Sequence, residues 1–164
     1  MKRSMKIVNS LFAASLLFLG ETGAAQLTDK KALNLDVAKQ IAAAAEVEAR
    51  ANKWNVVIAI IDDGGNLIYL QKMDETQNGS IETAIRKGQS AINFKRPTKA
   101  FEDAVAGGRN VVMTLPGALP VEGGLPIVVD GRPIGAIGVS GVTSQQDGQI
   151  GKAGVDALPK ILGK

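Results

Sequence analysis

The chain has 164 residues, with 19 lysines and arginines against 16 acids, and it contains neither cysteine nor histidine. Those two absences together exclude thiolate nucleophiles, zinc fingers, Ser-His-Asp triads and histidine haem ligands. The balance of +3 sits at the start of the chain: without Lys2, Arg3, Lys6 and Glu21 it falls to +1, so there is no basic face of the kind that nucleic acid requires.

Residues 1–25 read as a signal peptide. Lys2, Arg3 and Lys6 make a basic start, residues 7–20 are mostly apolar, and Gly23-Ala24-Ala25 offers small residues for cleavage before Gln26. The apolar run falls short of the ~20 residues of a comfortable membrane span, and no later segment is long and apolar enough to serve. The expectation is an exported protein, periplasmic or secreted, with no stable membrane span after cleavage. Its working part is a single domain over 26–164, large enough to build a core without disulfides.

Asn34 can cap a helix that starts near Leu35, with Val37, Ile41, Ala44, Ala45 and Ala51 on one face. Residues 56–61 are continuously apolar and β-branched, as in a buried central strand. Asp62-Asp63-Gly64-Gly65-Asn66 turns the chain, and residues 67–73 return as the antiparallel partner. Ser80 is placed to cap a second helix striped by Ile81, Ala84, Ile85, Ala91 and Ile92. Pro97 and Thr98 suit the start of a shorter helix through Ala106, closed by Gly107-Gly108. A Pro/Gly-rich loop over 115–124 leads into a second hairpin, 125–129 and 133–140, around the turn Asp130-Gly131-Arg132. Gly135, Gly138 and Gly141 lie in or just beyond its second strand, where glycine serves either close helix packing or ligand contact. Ile150, Ala153, Ala157, Leu158, Ile161 and Leu162 stripe a last helix that Pro159 ends or kinks. The order α-ββ-α-α-ββ-α predicts an α/β (α+β) single domain, with an antiparallel sheet of about five strands flanked by helices.

Three stretches carry a resemblance: VVIAIIDDGGNLIYLQKMD, AIRKGQSAINFKRPT and EGGLPIVVDGRPIGAIGVSG. In that order and spacing they resemble the GlcG/HbpS-like family of haem-binding and haem-degrading proteins, which also occurs as the C-terminal domain of PduO-type proteins. The resemblance covers almost all of the chain after residue 33. It implies an α/β sandwich, a homo-oligomer, and haem or a related tetrapyrrole as the first small-molecule ligand to test. Lys72-Met73-Asp74 is similar to the pattern that follows the family's second strand, and Thr98 resembles the threonine of its Pro-Thr pattern, which implies a ligand contact in that region.

Read on their own, these residues keep alternatives open. Asp62-Asp63 and Asp74-Glu75 could hold a hard cation or divide acid and base roles, while Asp-Asp-Gly-Gly-Asn is also ordinary turn chemistry; any metal ligands stay unknown. Asp74 fits either structural capping or pocket contact. Lys87 lies near the apolar stripe of its helix, where it belongs to a solvated face or reaches an anionic group such as a propionate. Thr98 has a plain role as helix N-cap. Gly123 and Gly124 can present backbone N–H groups to an anion or carbonyl, and Glu122 beside them is the general base if the protein is an enzyme. From the haem-ligand set of His, Cys, Met and Tyr, only Met73, Met113 and Tyr69 remain after residue 25. The leading function is therefore an exported, homo-oligomeric ligand-binding protein. The alternative is an enzyme acting on a small carboxylate-bearing metabolite through a Glu/Asp/Thr pocket.

Overall fold

The structure, a computed structural model, describes residues 26–164. The expected signal peptide lies outside the described residues. The elements are α1 (Leu35–Ala51), β1 (Val57–Asp62), β2 (Leu67–Lys72), α2 (Ser80–Phe94), α3 (Lys99–Ala106), a 3₁₀ turn (Asn110–Thr114), β3 (Gly124–Val129), β4 (Arg132–Ser140), α4 (Ser144–Asp156) and the single turn α5 (Leu158–Ile161). The sheet has four strands in the order β2-β1-β4-β3, every pair antiparallel. That corrects the expectation of about five strands. The two expected hairpins supply four, and the stretch between α2 and β3 forms the expected α3, then a 3₁₀ turn and a loop.

Alternation along the central strands divides the core in two. Ile58, Ile60, Ile137 and Val139 face α1, α4 and α5, whose contributions include Ile41, Ala45, Ile150 and Leu158. Val57, Ala59, Ile61 and Ala136 face Ala84, Ala91 and Ile92 of α2. A sheet with apolar residues on both faces needs a layer on each side, which gives the α/β sandwich. Asn34 caps α1 as its sequence suggests, its Oδ1 accepting from the Val37 N–H at 2.9 Å. The buried stripe of α1 is Ala38, Ile41, Ala42, Ala45 and Ala49, whereas Ala51 is exposed. Ser80 does not cap α2: Gly79 holds that position and Ser80 is the buried first residue of the helix. Asp130 and Gly131 both have positive φ, 49° and 75°, as the tight hairpin turn requires. Asp62 takes the turn role, accepting from the N–H groups of Gly64 and Asn66 at 2.9 and 2.8 Å.

The glycines of β4 are explained by close packing within the protomer. A Cβ at Gly138 would meet the backbone carbonyl of Ala84 and stand 2.5 Å from the Gly88 nitrogen, so α2 lies directly on the strand. Gly135 abuts the Ile61 carbonyl, and Gly141 the backbone of Asn55 and Val56. Because the obstructing atoms are backbone, a methyl there cannot be accommodated by a rotamer change. Gly138→Ala should cost about 3 kcal/mol, the upper end of ordinary overpacking, read as a lowered denaturation midpoint in urea.

Candidate functional site

The two helix layers meet around the start of β3. Lys87 of α2 and Asp147 of α4 form an ion pair, Nζ to Oδ2 2.8 Å, with side-chain exposures of only 1% and 3%. The Val142 N–H donates to the other carboxylate oxygen at 3.2 Å. Burial pushes the Asp147 carboxyl up from its ordinary range, against the pull of Lys87 and of the backbone donors at Val142 and Gly141. Gly123, with φ 124°, lies against the pair: a Cβ there would sit 2.9 Å from both Lys87 Nζ and Asp147 Cβ. The next residue, Gly124, would bring a Cβ within 2.8 Å of Thr98 Cγ2 and onto the Lys87 backbone.

Thr98 is buried, and its hydroxyl makes no capping bond to α3. It accepts from the Gly124 N–H at 2.9 Å, while the Thr98 N–H donates to the Gly124 carbonyl at 2.9 Å. The expected N-cap therefore holds its place in the chain but works as a clasp between the entry to α3 and the entry to β3.

Glu122 stands one residue before this clasp. Its N–H donates to Glu102 Oε2, and Glu102 Oε1 accepts from the Ser144 hydroxyl at 3.1 Å. Its carboxylate packs on Gly148 of α4, where a Cβ would come within 2.8 Å of the Glu122 Cδ. Glu122 Oε2 is buried with no protein donor. Burial pushes this carboxyl up; Lys99 and Lys87 oppose the shift and Glu102 and Asp103 reinforce it. Glu122, Gly123, Gly124 and Leu125 line a cleft of about 410 Å³ together with Pro97, Lys99 and the α4 residues Gln145, Gly148, Gln149 and Lys152. That volume lies within the range of small-molecule sites, ~300–1,000 Å³. Lys99 and Lys152 are half-exposed or more, each paired with an acid of its own helix, Asp103 and Asp156. Such exposed pairs hold their partners weakly.

Of the residues marked in the sequence, the structure brings Glu122, Gly123 and Gly124 to one cleft. Thr98 supports it from behind. Lys87 is neither on a solvated face nor on the cleft lining, because Asp147 engages it in the interior. Asp74 is exposed beyond the end of β2, on the edge opposite β3; three strand spacings of ~4.8 Å, about 14 Å, separate the two edges. Asp74 and Glu122 thus do not form one site. Met73 is buried in the core, Met113 is exposed, and the Tyr69 hydroxyl donates to Gln71 Oε1 at 3.2 Å. None of the three lines the cleft. No cluster of three or more acidic side chains suited to a metal occurs among the described residues. A second concavity of about 360 Å³ at the hairpin turns has four of its charged side chains paired, Lys30 with Asp63 and Lys31 with Asp130, while Asp29 and Arg132 also line it.

Sequence reasoning missed Asp147, Glu102, Lys99 and Lys152. A signal existed for the first: Thr143 and Gln146 form a capping box that opens α4 at Ser144 and puts Asp147 in its first turn. Nothing local marks the others.

A four-stranded antiparallel sheet between two helical layers, with a cleft of small-molecule size at the entry to its edge strand, defines an α/β sandwich. The chain belongs to the family described as haem degrading protein HbpS-like, which residues 33–156 match. It is 42% identical over 111 residues to Protein GlcG of Escherichia coli K12, spanning 68% of this chain and 83% of that protein. The crystal structure of a double mutant of HbpS from Streptomyces reticuli superposes with a TM-score of 0.74 at 30% identity, covering 82% and 94% of the two chains. That of a PduOC–haem complex does so at 0.71 and 28%, covering 77% and 95%.

Two measurements test the electrostatics. Lys87→Met and Asp147→Leu should each cost about 3–5 kcal/mol, since each strands a buried charge, and the double variant should recover much of that loss; a denaturation cycle reads the coupling. Glu122→Gln should raise stability at neutral pH. The folded-state pKa of Glu122 lies above its ordinary 4.5, so the wild type gains stability as pH falls through that raised value, and the advantage of the glutamine variant fades toward pH 4.5. Melting temperatures of the two proteins between pH 4 and 8 check it.

Proposed function

We propose that this is an exported, homo-oligomeric ligand-binding protein that takes haem or a related tetrapyrrole in the cleft that the segment Glu122–Leu125 and α4 line together. The observation that carries the reading is the cleft itself, at the junction of both helix layers, with apolar Leu125 and Pro97 inside and the ammonium groups of Lys99 and Lys152 on its lining. The related structure titled as a PduOC–haem complex supports the choice of ligand. These residues fit the periphery of a tetrapyrrole: the lysines suit propionates, and the apolar side chains suit the ring. They do not fit its iron, because none of the usual ligand types lines the cleft. Propionate pairing, expected in the sequence at Lys87, passes to Lys99 and Lys152.

Export rests on the character of residues 1–25, and no described helix is long and apolar enough to cross a membrane. Assembly rests on other residues than the alanine face and the glycine hairpin, which are packed within the protomer. Val111, Met113 and Leu115 are exposed beyond α3 and offer an apolar contact surface. An enzymatic reading is favoured by one observation, the buried and raised carboxyl of Glu122; turnover abolished by Glu122→Gln would establish it.

Haemin titrated into the purified protein should bind saturably. Lys99→Ala and Lys152→Ala should each weaken it about three- to tenfold, with absorbance in the Soret region as the readout. Sedimentation at tens of micromolar should give a multiple of the protomer mass, and N-terminal sequencing from the native host should begin near Gln26.

A further inference from the structure

The segment that leads from β2 into α2 contains Asn78 followed by Gly79. Both residues are exposed, as is Gln77 before them. Among the described residues no backbone acceptor takes the N–H of Gln77, Asn78 or Gly79. The side chains on either side are engaged, Gln77 with the Ser80 hydroxyl and Thr76 with the Met73 carbonyl, while the Asn78 amide has no partner among the described residues. A Cβ at Gly79 would meet nothing within 4 Å, and its φ of −61° and ψ of −20° suit any residue. Neither packing nor backbone conformation requires glycine at this position.

An asparagine side-chain amide carbon lies within reach of the next backbone nitrogen, and the two can close a succinimide ring. A side chain on the following residue crowds that approach, and a hydrogen bond from the N–H holds the nitrogen back. Gly79 imposes neither restraint. Every other asparagine after residue 25 is followed by Leu, Lys, Val or Phe. The three Asp-Gly steps present a carboxylate, a poorer electrophile than an amide. Two of them are restrained as well: the Gly64 N–H donates to Asp62 Oδ1 at 2.9 Å, and Asp147-Gly148 is buried within α4.

We infer that Asn78 is a site of spontaneous deamidation, with water as the only co-reactant. The Gly79 nitrogen gives up its proton and bonds to Asn78 Cγ. The bond from Cγ to the side-chain nitrogen breaks, and ammonia leaves with a proton from water. Water then opens the ring. Cleavage between Cγ and the Gly79 nitrogen leaves aspartate; cleavage at the main-chain carbonyl leaves isoaspartate, whose backbone runs through Cβ and Cγ. The two products differ in their effect on α2. Aspartate places a negative charge beside the free N–H groups at the start of the helix, where it is favourable. Isoaspartate lengthens the main chain where the Ser80 N–H donates to the Gln77 carbonyl and the Ile81 N–H to the Asn78 carbonyl, both at 3.2 Å. The first turn of α2 is thereby loosened.

The test incubates the purified protein at 37 °C and pH 8 and follows its peptides by mass spectrometry, with isoaspartyl methylation to separate the two products. Asn78 should convert before any other asparagine after residue 25, faster at pH 8 than at pH 6, and conversion should be lost in Gly79→Ala. Melting curves confirm that this variant is folded. The native protein should convert nearly as fast as the same chain unfolded in guanidinium chloride. Isoaspartate-containing protein, separated by ion exchange, should melt below fresh protein, whereas Asn78→Asp should not. The inference is overturned if another asparagine converts first or if Gly79→Ala converts as fast as the wild type. It is also overturned if unfolding accelerates the reaction more than about tenfold, the mark of a site that reacts only after local opening. An isoaspartate form that melts with the fresh protein would overturn the effect on α2.

Discussion

The buried pair of Lys87 and Asp147 holds the architecture around the cleft. It joins helices from opposite faces of the sheet, and the backbone at Gly123 packs directly against the pair. Taking both ions out of water costs several kcal/mol each, so the pair contributes little net stability compared with an apolar substitute. Its contribution is positional. With Asp147 held on Lys87, the next residue of α4, Gly148, is set against Glu122, the residue before Gly123. Slipping α4 by one residue would strand both charges and place a side chain against the Glu122 carboxylate.

Around that pair, closeness is obtained by removing side chains. Gly88 and Gly138 let α2 rest on β4, Gly124 lets Lys87 and Thr98 close on β3, and Gly148 gives space to Glu122. The consequence for the site is rigidity. Glu122 is tied through its backbone to Glu102, and Glu102 to Ser144 on α4, so the wall of the cleft at Glu122 is held by hydrogen bonds from both α3 and α4.

Most of the fold could be read from local chemistry. Asn34, Asp62 and Asp130-Gly131 declare their cap and turns, and the unbroken apolar run before Asp62 declares a strand covered on both faces. The fold-level miss was the strand count: the two hairpins read from the sequence supply four strands, and the described residues contain no fifth. The site was legible only in part. Glu122 stands out beside two glycines, yet the partner of Lys87 lies sixty residues away in the other helical layer, so no period or spacing could show that its charge is already engaged. Asp74 carried a familiar pattern, but the order β2-β1-β4-β3 puts it on the far edge. Strand order is a property of the assembled sheet, absent from the strands themselves.

The clasp between Thr98 and Gly124 divides the chain topologically. Two hydrogen bonds bring the ends of the excursion over residues 99–123 together, so the sheet sees only a closed gap, whatever the contents. Closing a flexible loop costs free energy that rises only with the logarithm of its length, about 0.6 kcal/mol for each doubling. The excursion nevertheless supplies Lys99 and Glu122 to the cleft. Between its anchors at Phe101, Glu102, Val112 and Gly123, residues that line the cleft are thereby carried on a segment whose length can change at small cost to the sandwich, which makes it the natural place for one scaffold to acquire a differently shaped cleft.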